Sequence, residues 1–357
     1  MIHILKEERW RDAIGLTHTR DHHADEVFAT VMFEKLFRPA DFLICRTRNT
    51  EIISQALADN CHIVYDVGGK YDAANLHFDH HQRDFDERRE PRLGQKKGTK
   101  YATVGLVWRK FGVRIAKLCT EGVALSDEGW KNVARSVDHD LIEGIDAFDN
   151  GEIQDSIVMS VSTAIQRLNS TAREREKVTD GFPVDCHDFM QACEEADTQL
   201  KRAIEYAVTK ELEKESIIKL IGETTVPGQC FLLLDKCYSS WREVILELSA
   251  QKNDSIEDDE EYFIFDQAAK LGFCIFQRDV EAGEWCIQAI PPSEDRLMEQ
   301  RESFPENWRG LQGEALARES GVPSAFFCHT GGFFAKTRTL KDAISLVYRA
   351  HKLNGKY

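Results

Sequence analysis

The sequence lacks several features that would assign it to a common class. No stretch approaches the roughly 18 consecutive apolar residues that a membrane-spanning helix requires. Its ten cysteines are scattered singly with no CxxC pair, so neither a disulfide framework nor a cysteine-ligated zinc site is expected. Its N-terminal residues lack the apolar core of a secretory signal and the arginine-rich character of a transit peptide. These absences predict a cytoplasmic protein with reduced thiols and no membrane partner.

Positive charge is also in short supply. The 46 Lys and Arg residues face 61 Asp and Glu residues, which gives a formal net charge of -15. Such a protein repels a polyanion unless a local basic patch or a bound metal intervenes, which argues against a dedicated duplex-DNA binder. An enzyme that holds a short phosphodiester at a metal site remains compatible. The basic stretch 83–100 could guide such a substrate, with a solvated loop as the alternative interpretation.

The residues that are present predict an α/β protein with two domains. A length of 357 residues exceeds the roughly 250 to 300 at which single cores stop growing. From residue 13 to residue 65, apolar runs alternate with segments of helical periodicity, which is typical of a parallel sheet. Periodicity then predicts one long helix, so we expect a domain at 1–180, a linker helix at 181–225 and a smaller α/β domain at 226–357. In the last part the pattern predicts a helix at 241–248, an acidic loop at 251–260, and strands at 229–234, 261–265, 272–277 and 284–290.

His and Asp residues are concentrated in four short clusters near predicted strand ends or helix boundaries. The clusters are His18 to Glu26, Asp66 to Gly69, Asp79-His80-His81-Gln82, and Asp138 with Ile145 to Gly151. Ligands of open α/β sheets bind beyond the carboxyl ends of the strands, so these clusters are candidates for one site. Taken singly, each has a simpler interpretation: a surface His-His pair, a tight turn at Gly68-Gly69, or a helix cap at Asp149-Asn150-Gly151.

A site that gathers Asp25, Asp66 and Asp146 needs cations, because desolvating several carboxylates together is costly. Carboxylate and imidazole ligands without thiolate suit Mn²⁺ or Mg²⁺. Two such ions about 3.5 to 4 Å apart activate water and stabilise an in-line displacement at phosphorus. The clusters therefore predict hydrolysis of a phosphoester.

Together these clusters resemble the MYG family, named from melanocyte proliferating gene, a branch of the Asp-His-His (DHH) phosphoesterases. The Asp79-His80-His81-Gln82 run is the most specific part of the match. The similarity covers nearly the whole chain, including Val104 to Gly112, Phe304 to Leu311 and Cys328 to Arg338. It implies a DHH-type parallel-sheet catalytic domain that binds two manganese-type ions, and a smaller C-terminal domain that grips the substrate. The implied reaction is phosphodiester hydrolysis, with 3′-to-5′ exonuclease action on RNA.

The resemblance also implies roles for individual residues. The implied metal ligands are His18, His23, Asp25, Asp66, His80 and Asp146. The implied catalytic residues are Asp66, His80 and His81, and His81 would contact the scissile phosphate. The implied substrate-binding residues of the second domain are His329, Gly331, Gly332, Lys336 and Arg338, in which a Gly-Gly loop and two cations would face one anion.

Some alternatives stay open at this point. Asp21 and His22 stand where the family has a glycine-containing turn and a Phe, and either could compete for a metal. Asp149 could replace Asp146 as the ligand from the fourth cluster. RNA or a short oligonucleotide is the expected substrate. A dinucleotide or pyrophosphate hydrolase and a metal-binding scaffold without catalysis are the competing functions, and a homo-oligomer is compatible with all three.

Overall fold

The structure is a computed structural model that describes residues 1–91, 96–152, 160–171, 184–251, 259–278, 281 and 283–355. The chain divides into two compact units, Met1–Val208 and Thr209–Tyr357. Most of the predicted acidic loop at 251–260 and Arg92 of the basic stretch lie outside the described residues. Among the helices that are described, none is both long enough and apolar enough to span a membrane.

The first unit contains a six-stranded sheet in the order β1-β3-β2-β4-β6-β5. Its strands are β1 Ile2–Leu5, β2 Gly15–Thr17, β3 Phe42–Arg46, β4 Ile63–Tyr65, β5 Tyr71–Asp72 and β6 His77–Phe78. All neighbouring pairs are parallel except β5 with β6. The α/β class and the parallel sheet predicted from the sequence are therefore present. Strands β1, β5 and β6 were not predicted.

The helices of this unit are α1 Ala24–Phe37, α2 Thr50–Asp59, α3 Thr103–Cys119, α4 Asp127–Val137, α5 Glu143–Asp149 and α6 Val161–Gln166. A π-helical turn, Asp138–Ile142, joins α4 to α5. Helix α1 is buried on nearly every side, because its apolar residues are distributed around the whole helix rather than along one face. Phe33 of α1 packs against Phe42, Tyr65 and Phe78 of the sheet at ring-centroid distances of 6.0, 5.2 and 5.8 Å. This packing holds α1 against the sheet.

Helix α7, Val184–Thr224, corresponds to the predicted long helix. Its apolar residues from Phe189 to Val208 are buried in the core of the first unit. Those from Ile217 to Ile221 are buried in a core of the second unit. The boundary between the units falls inside this helix, after Val208. The three-part division made from the sequence, with a separate linker at 181–225, stays a prediction.

The second unit contains a five-stranded sheet in the order β10-β11-β9-β8-β7, mostly antiparallel. Its strands are β7 Phe231–Leu233, β8 Phe273–Gln277, β9 Trp285–Ala289, β10 Ala325–Cys328 and β11 Phe334–Thr337, and its further helices are α8 Trp241–Ala250, α9 Asp259–Lys270, α10 Gly313–Ser320 and α11 Leu340–Leu353. The predicted strand at 261–265 was wrong, since these residues lie within α9. Ile264, Phe265 and Ala268 are buried at helical spacing, and the apolar run was too short to tell the two periods apart.

Candidate metal centre

Three strands that are neighbours in the sheet end at the same edge, and a cluster of polar residues follows each of them. His18 comes directly after β2, Asp66 after β4, and Asp79-His80-His81 after β6. The parallel register places Leu16 beside Val64 and Tyr65 beside Phe78, so the residues that follow are side by side. Asp66 has a φ of 54°, in the left-handed region that residues other than glycine rarely adopt. Its backbone N–H donates to the Phe78 carbonyl at 2.9 Å.

His18 is held between two carboxylates. Its Nε2 lies 3.1 Å from Oε1 of Glu26 and 3.3 Å from Oδ2 of Asp66. Its Nδ1 lies 3.2 Å from the Thr19 carbonyl, so a hydrogen on Nδ1 leaves the Nε2 lone pair available to a metal. Burial acts to lower the pKa of His18, but Glu26 and Asp66 outweigh it and raise the pKa to about 10. The surroundings of Nε2 therefore favour a positive charge.

Asp25 occupies the N-terminus of helix α3. Its two carboxylate oxygens accept hydrogen bonds from the backbone N–H groups of Thr103 and Val104 at 3.0 and 2.6 Å. The residue before α3, Ala102, has no side chain that could cap the helix, and Asp25 supplies the missing acceptor from another part of the chain. Burial, followed by the charges of Asp66 and Asp149, raises the pKa of Asp25 well above its usual value.

His80 lies at the centre of the cluster. Its Nε2 is 3.2 Å from Oδ2 of Asp149, 3.5 Å from Oδ1 of Asp66 and 3.6 Å from Oδ2 of Asp25. This buried nitrogen makes no hydrogen bond of acceptable geometry with any described residue. Burial acts to lower the pKa of His80, but the nearby carboxylates of Asp149, Asp66 and Asp25 outweigh it and raise the pKa to about 11.

Asp79 organises the segment without joining the metal-binding groups. One of its oxygens accepts from the backbone N–H and from Nδ1 of His81, the latter at 2.7 Å, and the other accepts from the backbone N–H of Gly69. Gly68 and Gly69 both have positive φ, as the turn after β4 requires. The hydrogen bond from Asp79 orients the ring of His81, which is 60% exposed and lines the adjoining cleft.

The fourth cluster provides Asp149 rather than Asp146. Asp146 turns away from His80: its Oδ1 accepts from the backbone N–H groups of Ala102 and Gly105 at 2.9 and 3.1 Å, and its Oδ2 lies 2.7 Å from Nη1 of Arg89. Burial raises the pKa of Asp146 to about 7, while Arg89 acts to lower it. The placement of Asp146 thus departs from the role implied by the resemblance, because a guanidinium already neutralises its charge.

Three groups of side chains in the described part of the chain can each surround a metal ion. They are His18 with His23, Glu26 and Asp66; Asp66 with His80 and His81; and Asp25 with His80 and Asp149. Within each group the ligand atoms lie within 4.8 Å of one another, and oxygen and nitrogen ligands of one octahedral ion at bonds of about 2.1 Å are roughly 3 Å apart. The donor set therefore fits a hard divalent cation. Asp66 and His80 are each shared by two groups, so the sites adjoin.

Glu26 is a candidate ligand that the sequence analysis did not name. Its carboxylate also accepts from the backbone N–H of His23, at 3.2 and 3.0 Å. A sequence signal for Glu26 was available, because an acidic residue three positions after the N-cap residue, here His23, is typical of a capping box. Asp21 and His22 belong to none of the three groups. The buried ring of His22 instead lies 3.0 Å from the Ile165 carbonyl.

A cleft of about 530 Å³ opens beside this centre. The ligand-bearing side chains of His18, Asp66 and His81 line one side of it. Its other lining residues include Arg48 and several residues of helix α2. A smaller cavity of about 140 Å³ lies beside Asp25 and Asp149.

The second-domain residues are engaged within their own unit. Nδ1 of His329 lies 3.0 Å from the backbone nitrogen of Gly331, and the N–H of Gly332 donates to the His329 carbonyl at 2.9 Å. Nζ of Lys336 lies 2.8 Å from Glu284, and Arg338 lies over the ring of Phe326 at 4.6 Å. Gly331 and Gly332 precede the four-residue strand β11 and Arg338 follows it, so the glycines and Arg338 lie at opposite ends of this strand. The predicted clamp, with both glycines and both cations facing one anion, stays a prediction.

Comparison with known proteins gives consistent matches. The model of a family described as "Uncharacterised protein family (UPF0160)" and named for the MYG1 exonuclease matches residues 14–350. The human MYG1 exonuclease is 28% identical over 92% of this chain and 83% of its own length. The MYG1 protein of Schizosaccharomyces pombe is 27% identical over 94% of this chain and 96% of its own length.

Among solved structures, RecJ of Thermus thermophilus in complex with Mn²⁺ matches at 10% identity with a TM-score of 0.24. The match covers 98% of this chain and 53% of RecJ.

Proposed function

This chain belongs to the MYG1 exonuclease family, and on that premise we propose that it is a metal-dependent phosphodiesterase that degrades RNA or short oligonucleotides. The observation that carries the proposal is the position of His80, whose Nε2 lies within 3.6 Å of three carboxylates and makes no hydrogen bond of acceptable geometry among the described residues. Without a metal, the imidazoles of this buried group must be protonated to balance its carboxylates, and a bound divalent cation would replace those protons.

We propose that two Mn²⁺ ions, or Mg²⁺ ions, are held by residues of these three groups, with His81 left to contact the substrate. The ligands would be His18, His23, Glu26, Asp66, His80, Asp25 and Asp149. The sharing of Asp66 and His80 between groups supports a pair of adjoining ions. When bound, such a pair supplies an activated water and polarises the phosphoryl oxygens.

The protein's own residues would then orient the substrate. Asp79 fixes the ring of His81 through Nδ1, so that the opposite edge of the imidazole can donate a hydrogen bond to the scissile phosphate. Asp66 and His80 act through the ions they hold. Buried Tyr65 and Phe78 precede these residues and keep the strand ends rigid, which preserves the relative positions of the ligands.

Cleavage in the 3′-to-5′ direction and substrate contact by His329, Gly331, Gly332, Lys336 and Arg338 remain part of the proposal. The engagement of these side chains with Glu284, Phe326 and the hairpin backbone indicates that any such contact contributes little. The nuclease names of the mammalian relatives support an oligonucleotide substrate.

The test is hydrolysis by the purified full-length chain. The protein is incubated with Mn²⁺ and, separately, a labelled short RNA, a dinucleotide and pyrophosphate, beside the double variant Asp66→Ala/His80→Ala. The control is Asp127→Ala, because the side chain of Asp127 is 94% exposed in the same unit. Manganese-dependent shortening of RNA that the double variant lacks would support the proposal.

Turnover restricted to pyrophosphate would indicate a small-molecule hydrolase, which the net charge of -15 favours. No product from any substrate, from protein that has bound metal, would indicate a scaffold and reject the proposal.

A further inference from the structure

The cleft beside the metal centre has one arginine, Arg48, and no lysine among its described lining residues. We propose that this cleft binds a single nucleotide unit of the substrate, with its phosphate on Arg48 and its sugar and base against helix α2. The inference rests on the proposed phosphodiesterase function and adds to it a phosphate-binding residue and a subsite. Neither the sequence motifs nor the family match assigns a role to Arg48.

The surroundings of Arg48 differ from those of Arg46, two positions earlier. Arg46 is buried and donates to the carbonyls of His18, Arg20 and Asp185, so its guanidinium links three backbone segments and has a structural role. Arg48 is exposed, and in the described parts of the chain it has no carboxylate within ion-pair distance. An unbalanced guanidinium beside a cluster of metal ligands suits the recognition of a phosphate.

Arg48 is also oriented towards the centre. Its Nε donates to the Thr19 carbonyl at 3.0 Å, and its Nη2 lies 3.3 Å from Nδ1 of His18. The same carbonyl can accept a hydrogen bond from Nδ1 of His18. The guanidinium is therefore fixed through one edge, within a few ångströms of a candidate metal ligand, while its remaining N–H groups can meet an anion.

The rest of the cleft has room and apolar surface for the sugar and base of a nucleotide as well as its phosphate. Ile53 and Leu57 of α2 and Val67 form an apolar wall, and Gly68 and Gly69 form a floor without side chains. Its volume of about 530 Å³ lies in the range of small-molecule sites, roughly 300 to 1,000 Å³. The lining includes no Phe, Tyr or Trp, so we expect weak discrimination between bases.

The experiment measures equilibrium binding of adenosine 5′-monophosphate (AMP), uridine 5′-monophosphate and adenosine to the full-length, metal-loaded protein by calorimetry. Arg48→Met should weaken AMP binding at least tenfold, to about the affinity of adenosine for the unchanged protein, and Arg48→Lys should restore part of the loss. Arg114→Met is the matched control, because Arg114 is an exposed arginine on α3 of the same unit. Ser54→Trp fills the cleft from an exposed lining position and should weaken both AMP and adenosine.

Manganese content and the hydrolysis of a dinucleotide are measured on the same samples. The inference would be overturned if Arg48→Met bound AMP as tightly as the unchanged protein, or if the unchanged protein did not bind AMP. In either case, hydrolysis of the dinucleotide by the unchanged protein would still support the proposed function. Loss of manganese from Arg48→Met would also overturn it, because Arg48 would then act by holding His18. Arg48-dependent AMP binding without any hydrolysis would support the subsite and count against the phosphodiesterase.

Discussion

Two groups of carboxylates in the first unit differ in what balances their charge. Asp146 and Asp138 share Arg89, whose Nε and Nη2 lie 2.8 and 2.6 Å from the oxygens of Asp138 and whose Nη1 lies 2.7 Å from Asp146. Asp25, Asp66 and Asp149 instead surround imidazoles, with no Lys or Arg paired to them in the described residues. One group is balanced by the permanent charge of Arg89, and the other is balanced by protons or metal ions taken from solution.

The contrast is sharp because the two groups meet at the same helix. Asp25 and Asp146 both accept hydrogen bonds from the first N–H groups of α3, so the helix dipole stabilises both carboxylates in the same way. The two carboxylates differ in the side chain that faces each of them, which is Arg89 for Asp146 and His80 for Asp25. A carboxylate beside a guanidinium is already balanced, so we expect the proposed ions at the acids that lack one.

The comparison is tested most directly by replacing each of the two aspartates of α5 with asparagine in turn. Asp149→Asn should lower the rate of phosphodiester cleavage at least a thousandfold, since metal stabilisation of transition-state charge is worth several kcal/mol, and should reduce bound manganese. Asp146→Asn should keep its manganese. Elemental analysis of both variants, with turnover of a short RNA, measures these effects.

The reverse result, in which Asp146→Asn loses manganese and Asp149→Asn keeps it, would restore the ligand implied by the family resemblance. Asp127→Asn serves as the control for charge removal, because that side chain is 94% exposed.

The next largest effect is expected at Arg89. Arg89→Met leaves the buried carboxylate of Asp146 unpaired, which should destabilise the first unit by about 3 kcal/mol and lower its melting temperature by roughly 6 to 12 °C. Arg88→Met is the matched control, because Arg88 is 26% exposed and pairs with exposed carboxylates. A drop in melting temperature no larger than that of the control would show that Arg89 is not the neutralising cation.

The same variant should change the dependence of stability on pH. Burial raises the pKa of Asp146 to about 7 in the folded protein, above its unfolded value, so its contribution to stability is lost as pH rises towards 7. Without Arg89 the folded pKa rises further. The difference between Arg89→Met and the unchanged protein should therefore widen between pH 7 and pH 9, measured by chemical unfolding.

The first part of the fold was predictable, because strands β2 to β4 and helices α1 and α2 follow their apolar periodicity closely, whereas helices α3 to α6 were not predicted. The two-residue strands β5 and β6 were missed, since a pattern with a period of two needs more than two residues to show itself. The cytoplasmic location and a homo-oligomer stay predictions.

Side-chain direction was the part of the site that could not be predicted. His18, Asp66 and His80 were brought together by strand order, which an α/β pattern implies. Asp146 and Asp149 lie three residues apart on one short helix, and only the position of Arg89 decides which faces the centre. Arg89 comes from the loop before α3, and no periodicity in the sequence links it to α5.

Removing the metal tests the comparison through the stability of the first unit. Chelation should destabilise the first unit by about 2.7 kcal/mol relative to protein with Mn²⁺ at 100 times its dissociation constant, which is roughly 5 to 10 °C in melting temperature. The raised pKa of Asp25 implies that the metal-free protein loses stability as pH rises, and that metal binding releases protons. Calorimetry in buffers of different ionisation enthalpy would detect that release, and a melting temperature unaffected by chelator would contradict the prediction.

The smallest effects are expected in the second unit, where the predicted substrate cations are already engaged. Because Lys336 is paired with Glu284 and Arg338 stacks on Phe326, Lys336→Met and Arg338→Met should each change KM for a short RNA by less than about threefold, without an effect on kcat. Steady-state kinetics with protein of unchanged melting temperature measures this. A tenfold rise in KM in either variant would mean that the substrate displaces Glu284 or Phe326 from the basic side chain. A basic residue that is paired within its own unit could then still bind a phosphate. The contrast drawn at Arg89 would then hold for buried carboxylates but not for exposed basic residues.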